Sequence, residues 1–229
     1  MTTHFEHPEL LEHSIYEVAM DNLSVGLDPN KITLVQQSRI PSIGELTVFY
    51  SMLVSVNSLR HNPTIKTEAA NYGYNDMTYG FLGYPVSQSA DITFCKANLV
   101  PVGEDQMPML EQCLEIVHSF NSIYGETLVE PQIILPDNKA CLRLPGTDGK
   151  AKMSKSLGNC IYLSDDEETV RKKVMSMFTD PNHVRVEDPG RVEGNPVFVY
   201  LDAFSRPDHF ERFWPEYKNL DELKAHYQL

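Results

Sequence analysis

No stretch of this sequence approaches the roughly 18 uninterrupted apolar residues that a membrane-crossing helix requires, which argues against a helical membrane span. The opening residues, Met1-Thr2-Thr3-His4-Phe5-Glu6-His7, lack the basic and apolar regions of a secretory signal, so the expected compartment is the cytoplasm. Cysteine is sparse and scattered. Cys95, Cys113, Cys141 and Cys160 form no C-x-x-C pair and have no histidines at ligand spacing, which argues against zinc or dithiol chemistry and for buried thiols. His4 and His7 make only H-x-x-H, without the glutamate of a catalytic zinc helix, and no metal site is expected there. Basic residues are outnumbered, 19 against 32, and a formal net charge of −13 repels a polyanion. Any nucleic acid must therefore be met by a local patch. The acidic side chains are spread over helix-like segments and read mainly as solvated surface. Internal repeats and low-complexity segments are missing as well.

What is present is ordinary globular material, with 41% hydrophobic and 22% charged residues in 229. That length suffices for one domain with a small appendage. Residues 10–23 carry Leu11, Ile15, Val18 and Leu23 near helical spacing, after Pro8 in a first-turn position. Gly26-Leu27-Asp28-Pro29-Asn30 is turn chemistry, and Ile32-Thr33-Leu34-Val35 reads as a short strand. Ser42-Ile43-Gly44-Glu45 is a capping box that should open a helix to about Leu59. That helix is apolar nearly all round, as expected of a core or interface element. Pro85 can start a helix over 87–97, followed by a short buried strand, Leu99-Val100-Pro101-Val102, and a helix over 104–120. Ser164-Asp165-Asp166-Glu167 is a second capping box, opening a helix to about Met177, and 221–227 looks helical. Helix, strand and helix in this order predict an α/β fold with a parallel sheet covered on both faces.

Two constellations carry chemistry. Residues 144–159 place Gly146, Gly149 and Gly158 around Lys150, Lys152 and Lys155, with hydroxyls between. Composition alone would accept an exposed turn of solvated lysines. A hinged basic loop in an acidic protein also suits triphosphate. Tyr84, Gln88 and Asp91, spaced i, i+4 and i+7, line one helix face and suggest either a pocket or a polar stripe meeting solvent. Val100-Pro101-Val102-Gly103-Glu104-Asp105-Gln106 then reads as a strand end, a glycine and a helix start, where open α/β sheets place their ligand crevice.

Lys152-Met153-Ser154-Lys155-Ser156 matches the signature loop of class I aminoacyl-tRNA synthetases at all five positions. With Tyr84-Pro85-Val86, Ala90-Asp91-Ile92 and Val102-Gly103-Glu104-Asp105-Gln106, the chain resembles the bacterial tryptophanyl-tRNA synthetase family over nearly its whole length. The resemblance implies a Rossmann-like parallel-sheet catalytic core over 1–163, with a dimerisation insertion and the signature loop. It implies the start of an α-helical, anticodon-binding domain over 164–229. The implied reaction joins L-tryptophan to tRNA(Trp) through an adenylate. Lys152, Ser154, Lys155 and Ser156 act on the ATP phosphates, while Gly103, Glu104, Asp105, Leu144 and Met153 complete the ATP site. Asp91 would accept the indole N–H. Tyr84, Gln88 and Gln106 would hold the ammonium and carboxylate end, and Val100 and Val102 would pack on the ring. Mg²⁺ would travel with ATP, and residues 47–59 would form a homodimer contact.

A Tyr-x-x-x-Gln-x-x-Asp face would equally suit tyrosine, with Asp91 on the phenol, and tyrosyl-tRNA synthetases resemble this pattern. The step Val102-Gly103-Glu104-Asp105-Gln106 looks like the tryptophan family, since tyrosine enzymes tend to have more glycine and serine there. Many tryptophan enzymes carry methionine where Gln88 stands. The H-x-G-H turn of class I synthetases does not occur in this sequence. The expectation is therefore a chain truncated at both ends, lacking the first βαβ unit and forming little adenylate alone. A non-catalytic paralogue kept as a binding or dimerisation partner is the alternative from another class.

Overall fold

Proline opens helix after helix in this chain, because its fixed φ suits a first turn and its missing N–H is one that the turn leaves unpaired anyway. In a computed structural model that describes residues 6–71, 73, 76–138, 141, 144–150, 153, 157–185 and 187–229, helix α1 (Pro8–Ser24) begins this way. So do α2 (Pro41–Ser51), α4 (Pro63–Asn71), α8 (Pro196–Phe204) and α9 (Pro207–Phe213). The remaining described helices are α3 (Val56–His61), α5 (Tyr79–Thr93), α6 (Met107–Tyr124), α7 (Glu167–Met175) and α10 (Leu220–Tyr227). Strands β1 (Leu99–Pro101) and β2 (Gln132–Ile134) pair in parallel, with Val100 opposite Ile133. The α/β class expected from the sequence is the one observed. Among the described residues no helix is long and apolar enough to cross a membrane.

The chain forms two compact units, Met1–Leu135 and Pro136–Leu229. In the first, α2, α5 and α6 pack around Ile43, Tyr50, Phe81, Leu82, Val86, Ala90 and Ile116. Full burial of such side chains stabilises the unit by about 1.5–3 kcal/mol each. In the second, Met177, Phe198 and Phe210 are buried, and Gly190 lets the backbone meet the Tyr227 ring. A Cβ at Gly190 would lie 2.2 Å from Tyr227 Cε1, so a side chain there cannot be accommodated without movement.

Several boundaries differ from expectation for identifiable reasons. Ser42 is not a cap: α2 starts one residue earlier on Pro41, with no side-chain cap. The long helix to Leu59 is broken after Ser51. Met52 and Leu53 donate to carbonyls only three residues back, and extended Ser55 accepts the Ser58 N–H to start α3 anew. A serine hydroxyl that caps a new turn competes with continuing the old helix. Residues 32–35 make no ladder. After the Asp28 turn, Leu34 and Val35 are exposed, and the described sheet contains only β1 and β2. Pro85 lies inside α5, not at its start, because Thr78 caps the Phe81 N–H and residues 79–84 bury Phe81 and Leu82. Core burial outweighs the one hydrogen bond the proline withholds. Strand β1 is not deeply buried; Leu99 and Pro101 are exposed and Val100 is intermediate. The second capping box is shifted as well. Asp166, not Ser164, accepts the Thr169 N–H, and α7 ends at Met175. Of the four cysteines, Cys113 and Cys160 are buried, but Cys95 is exposed.

Candidate functional site

The polar face of α5 is real, and each member is held by a partner from elsewhere in the first unit. The Tyr84 hydroxyl donates to Glu68 Oε2 at 2.9 Å. Burial and the adjacent carboxylate push the Tyr84 phenol well above its ordinary value, so it remains a neutral O–H donor whose oxygen can still accept. Gln88 Nε2 donates to Gln106 Oε1 at 3.4 Å, and Gln106 Nε2 reaches Asp105 Oδ2 at 3.4 Å. Asp91 receives Gln37 Nε2 at 2.7 Å on Oδ1 and 3.0 Å on Oδ2. Burial raises the Asp91 carboxyl above the usual carboxylate range, and the Gln37 amide acts in the opposite sense.

The turn after β1 completes this side of the site. Val102 continues the ladder by donating its N–H to the Ile134 carbonyl at 3.0 Å, so Val100 and Val102 sit half-buried at the carboxyl end of β1. Gly103 then leads into a 3₁₀ turn, Glu104–Gln106, which runs into α6. A Cβ on Gly103 would stand 2.8 Å from Asp105 Oδ1, so a side chain there would displace the Asp105 carboxylate. Helix α4 braces the turn. Thr64 Oγ1 donates to the Asp105 carbonyl at 3.2 Å, and Glu68, one helical turn on, takes the Tyr84 hydroxyl. Sequence reasoning missed Glu68 and Gln37. Neither lies in a local pattern; Gln37 meets Asp91 across 54 residues, and only the folded arrangement reveals the pair.

In the second unit Lys152, Ser154, Lys155 and Ser156 lie outside the described residues. The segment around them is anchored. Met153 donates its N–H to the Leu144 carbonyl at 3.2 Å, Thr147 N–H reaches the Asn159 carbonyl at 2.9 Å, and Phe178 N–H reaches the Thr147 carbonyl at 2.8 Å. Asn159 is buried and gives its amide to Asp148 Oδ1. Gly149 has φ +65°, a left-handed conformation that glycine adopts at no steric cost. The Leu144 carbonyl, expected in an ATP site, thus accepts the N–H of Met153, the described residue of the signature segment. Among the described residues no group of three or more histidine, cysteine or carboxylate side chains is placed to hold a metal.

The family model for class I tRNA synthetases (W and Y) matches residues 1–227. The chain belongs to that family. A tryptophan–tRNA ligase from Streptococcus pyogenes serotype M1 is 56% identical over 231 residues, covering 100% of this chain and 66% of the relative. One from Streptococcus mutans is 56% identical over 230 residues, again covering 100% of this chain and 66% of the relative. The chain thus spans about 66% of the length of the curated relatives it matches. Among solved structures, tryptophanyl-tRNA synthetase from Campylobacter jejuni, complexed with ADP and tryptophan, aligns at a TM-score of 0.76 and 29% identity. That alignment covers 97% of this chain and 64% of the other. A tyrosyl-tRNA synthetase from Archaeoglobus fulgidus shares the fold at a TM-score of 0.62 and 22% identity, over 94% of this chain and 65% of that one. The first unit thus carries on α5 a half-buried carboxylate with neutral hydroxyl and amide groups, and at the end of β1 two half-buried valines.

Proposed function

We propose that this chain carries the tryptophan-activating machinery of a cytoplasmic tryptophan–tRNA ligase, with residues 1–163 in the catalytic part and 164–229 opening the helical tRNA-binding part. The observation that carries the reading is the half-buried Asp91 carboxylate, set on one face of α5 with Tyr84 and Gln88. Such an acceptor selects an indole N–H, because phenylalanine would leave it desolvated and unpaired. The 56% identity to tryptophan–tRNA ligases supports tryptophan over tyrosine. Tyr84, Gln88 and Gln106 hold the ammonium and carboxylate end, and Val100 and Val102 flank the ring. Gly103, Glu104 and Asp105 are assigned to ATP by the family resemblance, as is the Leu144 backbone.

The amino-acid carboxylate attacks the α-phosphate in line, and Lys152 and Lys155, with Ser154 and Ser156, stabilise charge on the departing pyrophosphate. Mg²⁺ arrives with the ATP phosphates. A terminal ribose hydroxyl of tRNA(Trp) then attacks the adenylate carbonyl, taking the tryptophanyl group as an ester and releasing AMP. Val48, Phe49, Met52 and Val56 are each more than half exposed, and this apolar strip supports a homodimer contact through residues 47–59.

A ligand that binds only the folded state raises the melting temperature, by about 2.7 kcal/mol of stability at a hundredfold excess over Kd. Tryptophan should shift the melting curve of this chain, while tyrosine and phenylalanine at equal concentration should not. A shift with tyrosine and none with tryptophan would overturn the reading.

A further inference from the structure

Asp91 has one partner that no family signature points to. Gln37 opens a 3₁₀ turn, Gln37–Arg39, just ahead of the proline that starts α2. Its backbone carbonyl accepts the Ile40 N–H at 3.0 Å, and the Arg39 N–H donates to the Gln36 carbonyl at 2.8 Å, so the turn is closed on both sides. From there the amide nitrogen reaches both oxygens of Asp91. An ionised carboxylate only accepts, so it must be the NH₂ end of the Gln37 amide that faces it. Among the described residues no charged group pairs with Asp91. The titratable residues on elements packed against α5 include Glu45 and Tyr50 of α2, Arg60 and His61 of α3, and Glu111, Cys113, Glu115 and His118 of α6, with Arg39 beside Gln37. None of these makes an ion pair or hydrogen bond to Asp91.

We infer that Gln37 is a positioning residue for amino-acid selection: its neutral amide orients the Asp91 carboxylate and keeps it an acceptor, leaving lone pairs for the ring N–H of the substrate. This rests on the reading of Asp91 as the indole acceptor. The choice of a neutral donor has a chemical logic. A lysine or arginine in its place would pair Asp91 strongly and compete with the ligand, and a hydrophobic residue would leave a partly buried carboxylate with neither orientation nor support. An amide takes part of the carboxylate's capacity of about four lone-pair sites and leaves the rest. Without that support burial acts unopposed, and protonation would turn the group from acceptor toward donor.

The test compares tryptophan with its β-(3-benzothienyl)alanine analogue, which keeps the ring shape but has sulfur in place of N–H. Calorimetry on the full 229-residue chain should show wild type preferring tryptophan by about tenfold or more, the size of a hydrogen bond to a charged acceptor. Gln37→Met keeps side-chain length and removes the donor, and Gln37→Glu keeps shape and replaces the donor with an acceptor. Both should lower that preference to about threefold or less, with unchanged circular dichroism. A purely structural role would weaken both ligands in parallel, and an unchanged preference in both variants would overturn the inference while leaving the function of Asp91 intact. Failure of the wild-type chain to prefer tryptophan over the analogue would overturn the Asp91 reading itself, and the inference with it.

Discussion

The Tyr50 hydroxyl meets Thr93 Oγ1 at 2.8 Å in the middle of the first unit, where both residues are buried. Thr93 passes its own proton to the Ser89 carbonyl at 2.8 Å, so Tyr50 is the donor of the pair. Ser89 Oγ in turn donates to the Pro85 carbonyl at 2.9 Å, and the chain of hydroxyls runs along the buried side of the helix whose other side carries the site. Tyr50→Phe should cost about 1 kcal/mol of stability, the net value of one buried hydrogen bond. Urea unfolding followed by circular dichroism should show the midpoint fall with the slope unchanged.

Glu68 offers a test of the opposite kind, since it matters for the site more than for the fold. Its carboxylate accepts the Tyr84 O–H and so leaves the Tyr84 oxygen's lone pairs available to accept. Glu68→Ala should reduce tryptophan affinity by about threefold to tenfold, equivalent to a hydrogen bond of order 1 kcal/mol. The melting temperature without ligand should barely change. Calorimetric titration separates the two effects.

Gly149 should tolerate no side chain. Its φ of +65° disfavours any L-residue, and an added Cβ would lie 2.8 Å from Phe178 Cδ1. Gly149→Ala should destabilise the second unit by about 1–2 kcal/mol. Limited proteolysis should detect it as faster cleavage within residues 136–229, with the first unit unaffected.

Asp165 provides the pH dependence. Its carboxylate receives the Lys173 ammonium and the Tyr162 N–H, and the lysine chiefly holds it below the usual carboxylate range. A depressed folded-state value means the contribution is complete above the ordinary carboxylate range and is lost as pH falls through the folded value. The second unit should therefore lose helicity on acidification, and Lys173→Met should start that loss at higher pH. A titration by circular dichroism from neutral pH downward checks both.

Much of this was legible in one dimension because it rests on local chemistry. The spacing of Tyr84, Gln88 and Asp91 required only that their segment be helical, and the step from Val102 to Gln106 required only a strand end followed by a turn. The helix over 42–59 misled because apolar periodicity runs straight through Ser55, while the decision to stop belongs to one hydroxyl and the Ser58 N–H. Pro85 misled in the other direction. Its usual place is a first turn, and only the burial of Phe81 and Leu82 behind it extends the helix backward. Gln37 and Glu68 could not be found at all, because nothing in their neighbourhoods hints at the groups they meet.

The proline within α5 has a mechanical consequence. A helix missing one rung bends most easily at that rung, and here the rung lies beside Tyr84 and ahead of Gln88 and Asp91. Bending there would shift Tyr84 against Gln88 and Asp91, which lie on the far side of the proline. The gap between them is set by a residue that offers no hydrogen to any ligand and sits almost wholly out of water.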